Sequence, residues 1–127
     1  MRDADSLGAH VLLDYVDYIS PHENDGAWVL QVLRNCVQDS RVREVHSHVE
    51  SFDGRKSPLG FAAVVLIDES HVSAHCYSER GLLAIDVFTC GGEDPDLLAD
   101  SIHADLVSAV PELRLMNRKR VARFLGG

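Results

Sequence analysis

The sequence predicts an α+β fold, a two-layer sandwich in which a largely antiparallel sheet carries two helices on one face. Apolar segments of strand composition outnumber helical ones, in the order β-α-β-β-β-β-α-β. No glycine-rich phosphate loop and no internal repeat breaks that order. Two helices cannot cover both faces of such a sheet, so they belong together on one. The other face is then left for a partner, and a homodimer follows.

The elements are justified in turn. Gly8 to Tyr15 (GAHVLLDY) is apolar and flanked by polar segments, as a first strand should be. Asn24-Asp25-Gly26 offers an N-cap, and Val29, Val32, Leu33, Cys36 and Val37 recur at helical spacing, predicting a helix over 26–39 with one buried face. Cys36 falls on that stripe and is read as core. Val42 to Phe52 reads as a strand, with Val42, Val45 and Val49 among His46, His48 and Glu50. Asp53 to Pro58 is a turn-rich loop. Phe61 to Ile67 has strand composition, and Val72–Cys76 and Leu82–Cys90 read as a further pair joined through Tyr77 to Gly81. Asp94-Pro95 combines a cap with a first-turn proline. Leu98, Ile102, Leu106 and Val110 supply the stripe of that second helix, and Pro111 ends it. A closing strand runs from about Leu113 to Phe124.

The chain's 127 residues, 46% hydrophobic and 25% charged, fit one domain spanning 1–127. A formal net charge of -8 argues against nucleic acid as a partner, since phosphate binding needs a concentrated basic surface. The one basic cluster, Arg114, Arg118, Lys119, Arg120 and Arg123, alternates with apolar residues and reads as the solvent face of the last strand. No apolar run approaches the roughly 20 residues that span a bilayer. The acidic start, Met1 to Asp5, lacks the apolar core of a signal peptide. Three cysteines, Cys36, Cys76 and Cys90, have no framework spacing, which points to a reducing cytoplasm.

Chemistry concentrates between Asp68 and Gly91, DESHVSAHCYSERGLLAIDVFTCG. Zinc is one reading, because His71, His75, Cys76 and Cys90 are all ligand types. Against it, two histidines four apart in a strand stand about 13 Å apart, and no Cys-x-x-Cys pair anchors a site. Purely structural roles are another reading.

A third rests on resemblance. Glu69-Ser70-His71, then Ser73, His75, Glu79, Gly81, Ala84, Asp86 and Phe88-Thr89-Cys90-Gly91, fall without gaps on the run E-S-H-x-S/T-x-H-T-W-P-E-x-G-Y-A-A-V-D-x-F-T-C-G. Ser6-Leu7-Gly8-x-His10 matches an S-L-G-x-H opening. In these motifs the chain resembles the short bacterial and archaeal S-adenosylmethionine decarboxylases, over roughly residues 6 to 110. The resemblance implies a self-cleaving, pyruvoyl-dependent proenzyme of polyamine biosynthesis, without metal or pyridoxal phosphate. Cleavage between Glu69 and Ser70 would give a β chain of residues 1–69 and an α chain of residues 70–127, and Ser70 would become the pyruvoyl group. It further implies that His75 assists processing, that the substrate amine forms a Schiff base at the former Ser70, and that Cys90 returns a proton to Cα. A thiol is a reasonable donor for that step. Phe52, Tyr77, Glu79 and Asp14 are the implied substrate-lining positions, and His71 would position the turn at the scissile bond. The implied partners are a small amino-acid substrate and a second processed copy.

The chain departs from the pattern in places. Aligned on Pro58-x-Gly60, the family's processing serine is replaced by Ala62; the loop after Phe52 is about four residues longer and carries Arg55 and Lys56. Tyr77 and Ser78 replace a tryptophan and a proline. These changes surround the expected pocket, so L-ornithine or L-arginine is kept as an alternative substrate to S-adenosylmethionine. Ala62 also motivates a non-enzyme alternative, an uncleaved paralogue acting as a regulatory subunit.

Overall fold

Alternating apolar residues build the sheet. In β1 (Ser6–Val16) Ala9, Val11, Leu13 and Tyr15 are buried, while His10, Leu12 and Asp14 point the other way. The same period of two runs through β3 (Gly60–Ile67), β4 (Ser70–Tyr77) and β5 (Leu82–Cys90). The computed structural model describes residues 6–91 and 93–126; the acidic start, 1–5, lies outside the described residues.

Six strands form one sheet in the order β2-β3-β4-β5-β1-β6, with β2 at Glu44–Phe52 and β6 at Arg114–Leu125. Every neighbouring pair is antiparallel. Helices α1 (Asp25–Gln38) and α2 (Pro95–Ala109) lie on one face, as the sequence predicts. Helix α1 covers β2, β3 and β4, and α2 covers β1 and β5. Val29, Leu33 and Val37 of α1 and Leu98, Ile102 and Leu106 of α2 are fully buried against Val11, Leu13, Val65, Val72, Ile85 and Val87. At about 1.5–3 kcal/mol for each buried large aliphatic, this layer is what holds the sheet and helices together.

Both helix starts follow the sequence signals. The Asn24 side chain accepts from the Ala27 amide, and the Asp94 side chain accepts from the Asp96 amide ahead of Pro95. Two details of packing go beyond the sequence pattern. Val45 does not face the core: the register shifts between Glu44 and His46, and the bulge turns Val45 out to 54% exposure. Arg118 and Arg120 are exposed, as the basic cluster predicts, but they are not free in solvent. They point to the helix layer, where Arg118 binds Asp96 and Asp100 at 2.7 Å each and Arg120 binds Asp94 and Asp96. Their acidic partners are the N-cap Asp94 and residues of the first turns of α2. Among the described residues no helix is long and apolar enough to cross a membrane.

Among the described residues, none forms a second layer on the face away from the helices. Its central rows are set by the register: His10, Phe88, His71 and Leu66; then Leu12, Asp86, Ser73 and Val64; then Asp14, Ala84, His75 and Ala62.

Candidate active site

The β3–β4 connection is a two-residue hairpin turn, Asp68-Glu69, closed by the pairing of Ile67 with Ser70. Hairpin turns that match strand twist have positive φ at the first central residue or at both. Here only Glu69 has it, at 68°, a left-handed conformation that costs a residue with a Cβ about 1–2 kcal/mol. Outside contacts fix the turn. Arg43 grips the Asp68 carboxylate through Nη2 at 2.7 Å and Nε at 3.1 Å, and the Asp68 amide donates to the Arg43 carbonyl at 3.1 Å.

Ser70 opens β4, and its Oγ is buried with no hydrogen-bond partner among the described residues. A buried hydroxyl left unbonded is costly, and its position here, one residue beyond a left-handed turn, makes it a candidate functional group. Cys90 closes β5 on the neighbouring strand, with its Sγ 3.9 Å from the Glu69 carbonyl oxygen. Gly8 makes room for it, since a Cβ there would stand 3.1 Å from Cys90 Sγ and 2.9 Å from the Thr89 carbonyl. Glu69 and Cys90 line a cavity of about 490 Å³ with Arg41, Val42, Asp68 and Glu93.

His75 is not part of this group. It is five residues along β4 from Ser70, about 17 Å at strand rise, and it is exposed on the uncovered face beside Ala62 and Ala84. Tyr77 and Glu79 continue to the same far end, and Phe52 lines a second cavity there with Leu59, Gly60 and Ser78. Asp14 is exposed in the His75 row, two strands away, and accepts from Asn117 Nδ2 at 3.4 Å. The implied residues therefore form two groups at opposite ends of one sheet.

A matching family model covers residues 9–119 and is described as S-adenosylmethionine decarboxylase. This chain belongs to that family. It is 35% identical over 107 residues to the S-adenosylmethionine decarboxylase proenzyme of Bacillus velezensis, covering 80% of each chain. Against proenzyme 1 of Bacillus anthracis it is 33% identical over 105 residues, covering 80% of this chain and 76% of that one. The crystal structure of the adenosylmethionine decarboxylase from Aquifex aeolicus superposes with a TM-score of 0.71 at 27% identity, over 95% of this chain and 93% of the other.

In this S-adenosylmethionine decarboxylase family member a network that single-residue reasoning missed lies between the two ends. Asp86 accepts from Ser73 Oγ at 3.1 Å and lies 3.2 Å from His10 Nε2. His71 packs edge-on against His10 and Phe88, so it opens onto the uncovered face beyond the turn. Burial lowers its pKa, reinforced by the neighbouring His10, which favours the neutral ring. The strand parity of His10, His71, Ser73 and Asp86 was the available signal: even positions of β1 and β5 share a face with odd positions of β4.

The zinc set does not converge. Cys76 is buried on the helix side, whereas His71 and His75 face away from the helices. Burial pushes the Cys76 thiol up to about 11. Cys36 is core as expected: its Sγ donates to Asp105 at 3.5 Å, and burial pushes it up to about 12.

Proposed function

We propose that the chain is a self-processing proenzyme that cuts itself between Glu69 and Ser70 and decarboxylates S-adenosylmethionine, yielding the aminopropyl donor for spermidine synthesis. One observation carries this reading: the buried, unbonded Ser70 hydroxyl adjoins a left-handed Glu69 whose carbonyl oxygen faces the Cys90 thiol. An alternative substrate, ornithine or arginine, draws no support from relatives that are named for S-adenosylmethionine.

The residues divide the work. Attack of Ser70 Oγ on the Glu69 carbonyl closes a five-membered ring, whose collapse moves the acyl group from nitrogen to oxygen. An oxygen that holds no hydrogen bond gives none up on turning to that carbonyl. Loss of the Ser70 Cα proton then expels the Glu69 carboxylate. Hydrolysis of the remaining enamine takes up water, releases ammonia and leaves a pyruvoyl terminus. That ketone supplies the sink for electrons left on the substrate's Cα when carbon dioxide departs. Cys90, beside the same junction, returns the proton in this reading.

His75 assists the elimination, yet it cannot reach Ser70 along its own strand. A second copy laid antiparallel on the uncovered sheet face would bring its His75 end over this Ser70 end, twice by symmetry. The same docking would deliver the partner's Phe52, Tyr77 and Glu79 toward the new terminus as substrate-lining groups, with Asp14 in the His75 row. The working form is thus a homodimer of processed units, and three free cysteines suit a reducing cytoplasm.

Mass spectrometry of the purified chain tests the reading. Two fragments are expected, 1–69 and 70–127, the second blocked at its N-terminus and reactive toward a ketone reagent. Carbon dioxide release should be faster from S-adenosylmethionine than from ornithine or arginine. A single intact chain inert to the reagent would instead identify the regulatory paralogue that Ala62 raises.

A further inference from the structure

Arg41 sits between α1 and β2, on the wall of the cavity that also contains Glu69 and Cys90. Among the described residues no hydrogen bond or ion pair engages it. The other cation beside the turn, Arg43, is already committed to Asp68. The remaining charged groups on that wall, Asp68, Glu69 and Glu93, are all carboxylates.

Self-cleavage changes the charge of this cavity. Before it, the Glu69 carbonyl belongs to a neutral amide. Afterwards, the same carbon carries a new α-carboxylate, formed when the ester oxygen leaves with the acyl group. A fresh anion then lies among three existing carboxylates, next to the thiol and ketone that do the chemistry. We propose that Arg41 is a positioning residue for the processed enzyme, one that binds the newly made C-terminal carboxylate of Glu69. By holding that terminus to the cavity wall it keeps the severed strand end paired beside β4 and away from Cys90. An arginine suits the task, because its planar fork can take a carboxylate with two parallel hydrogen bonds.

This inference rests on the cleavage proposed above, and it is specific to the cleaved state. Arg41→Gln is compared in two backgrounds, the processed protein and the uncleavable Ser70→Ala chain. The expected result is normal cleavage, a melting temperature lowered by about 2–5 °C in the processed form, and no shift in the Ser70→Ala chain. Arg41→Lys should recover part of the loss, and high salt should shrink it. KM or kcat of the processed Arg41→Gln enzyme should also worsen as the loosened terminus enters the site. An equal shift in both backgrounds would mean that Arg41 serves Glu93 or the fold in general, and would overturn the inference. So would a block of cleavage, which would place the role before the bond breaks, or the absence of any effect on the processed form. A wild-type chain that never cleaves overturns the decarboxylase reading and this inference together, whereas the other failures leave the decarboxylase reading standing.

Discussion

The sulfur of Cys90 lies 3.9 Å from the carbonyl oxygen of Glu69, across the junction of β5 with the β3–β4 turn. Under the proposed mechanism this contact joins the bond to be cut to the group that serves turnover, so the two functions should be separable by mutation. Ser70→Ala should leave one full-length chain, because no hydroxyl remains to attack. Cys90→Ala should still yield both fragments but lose decarboxylation by about a hundredfold or more, the usual worth of a placed proton donor. Fragment masses and carbon dioxide release read the two steps independently. Two fragments from Ser70→Ala would show that the break point is misassigned.

The turn itself stores conformational energy at Glu69, the residue before the proposed cut. Glu69 is left-handed, and glycine would adopt its φ of 68° without a Cβ clash. In the uncleavable Ser70→Ala background, Glu69→Gly should therefore raise stability by roughly 0.5–1 kcal/mol, net of glycine's larger unfolded-state entropy. Urea unfolding measures it. In the cleavable background the same change should slow processing, because part of the strain released on cutting is gone. A loss of stability in the Ser70→Ala pair would show that Glu69 is not strained.

The separation of His75 from Ser70 makes a prediction about assembly. Ser70→Ala and His75→Ala chains should each fail to process alone. Co-expressed, they should form mixed dimers in which the His75→Ala chain keeps its serine and borrows the histidine. Roughly half of the His75→Ala chains should then be cut under random two-fold pairing. No cleavage in the mixture would mean that His75 acts within its own chain, or that the uncovered sheet face does not pair.

That separation was legible in the sequence, since five strand residues span about 17 Å by the spacing that already sets His71 and His75 apart. Motif reading places Ser70, His75 and Cys90 in one line of text; strand geometry sends His75 to the far end. Local signals fixed the elements best where chemistry at a single position was decisive, as at Asn24 and at Asp94-Pro95. They failed where a partner element decides the outcome. Arg118 and Arg120 read as unpaired surface cations until the start of α2 brings three aspartates to them, and the outward turn of Val45 shows only with the bulge. The Ser73–Asp86–His10 network was hidden because it joins three strands, and only the register brings them side by side.

The cluster that pairs β6 with the start of α2 also sets an acid limb. Hydrogen bonds from Arg118, with further help from Arg120 against a smaller desolvation cost, hold the Asp96 carboxyl below the usual carboxylate range. A carboxylate with a depressed folded pKa contributes stability that is complete above the unfolded value, near 3.9, and is lost as pH falls through the folded value. Asp96→Asn should cost about 1 kcal/mol at pH 7, a figure kept small because the cluster is about a third exposed to solvent. Below about pH 4 the variant and the wild type should converge. Acid unfolding curves that stay parallel through that range would remove Asp96 from the account.

Ala62 offers a gain of function. It is the direct cross-strand neighbour of His75, on the same uncovered face, where the aligned family position carries a hydroxyl. The nearest serine on that face, Ser73, is occupied with Asp86 and buried. In the proposed dimer, Ala62 and His75 together approach the partner's Glu69–Ser70 turn, so the histidine works without a neighbouring donor for the ester intermediate. Ala62→Ser would add one hydrogen bond there, worth about 1 kcal/mol, and should speed self-cleavage by roughly fivefold while adding a single oxygen to a half-buried position. A time course of freshly synthesised chain, followed by the appearance of the 70–127 fragment, measures the rate. Unchanged kinetics would mean that position 62 does not meet the intermediate, and that another hydroxyl already fills the role.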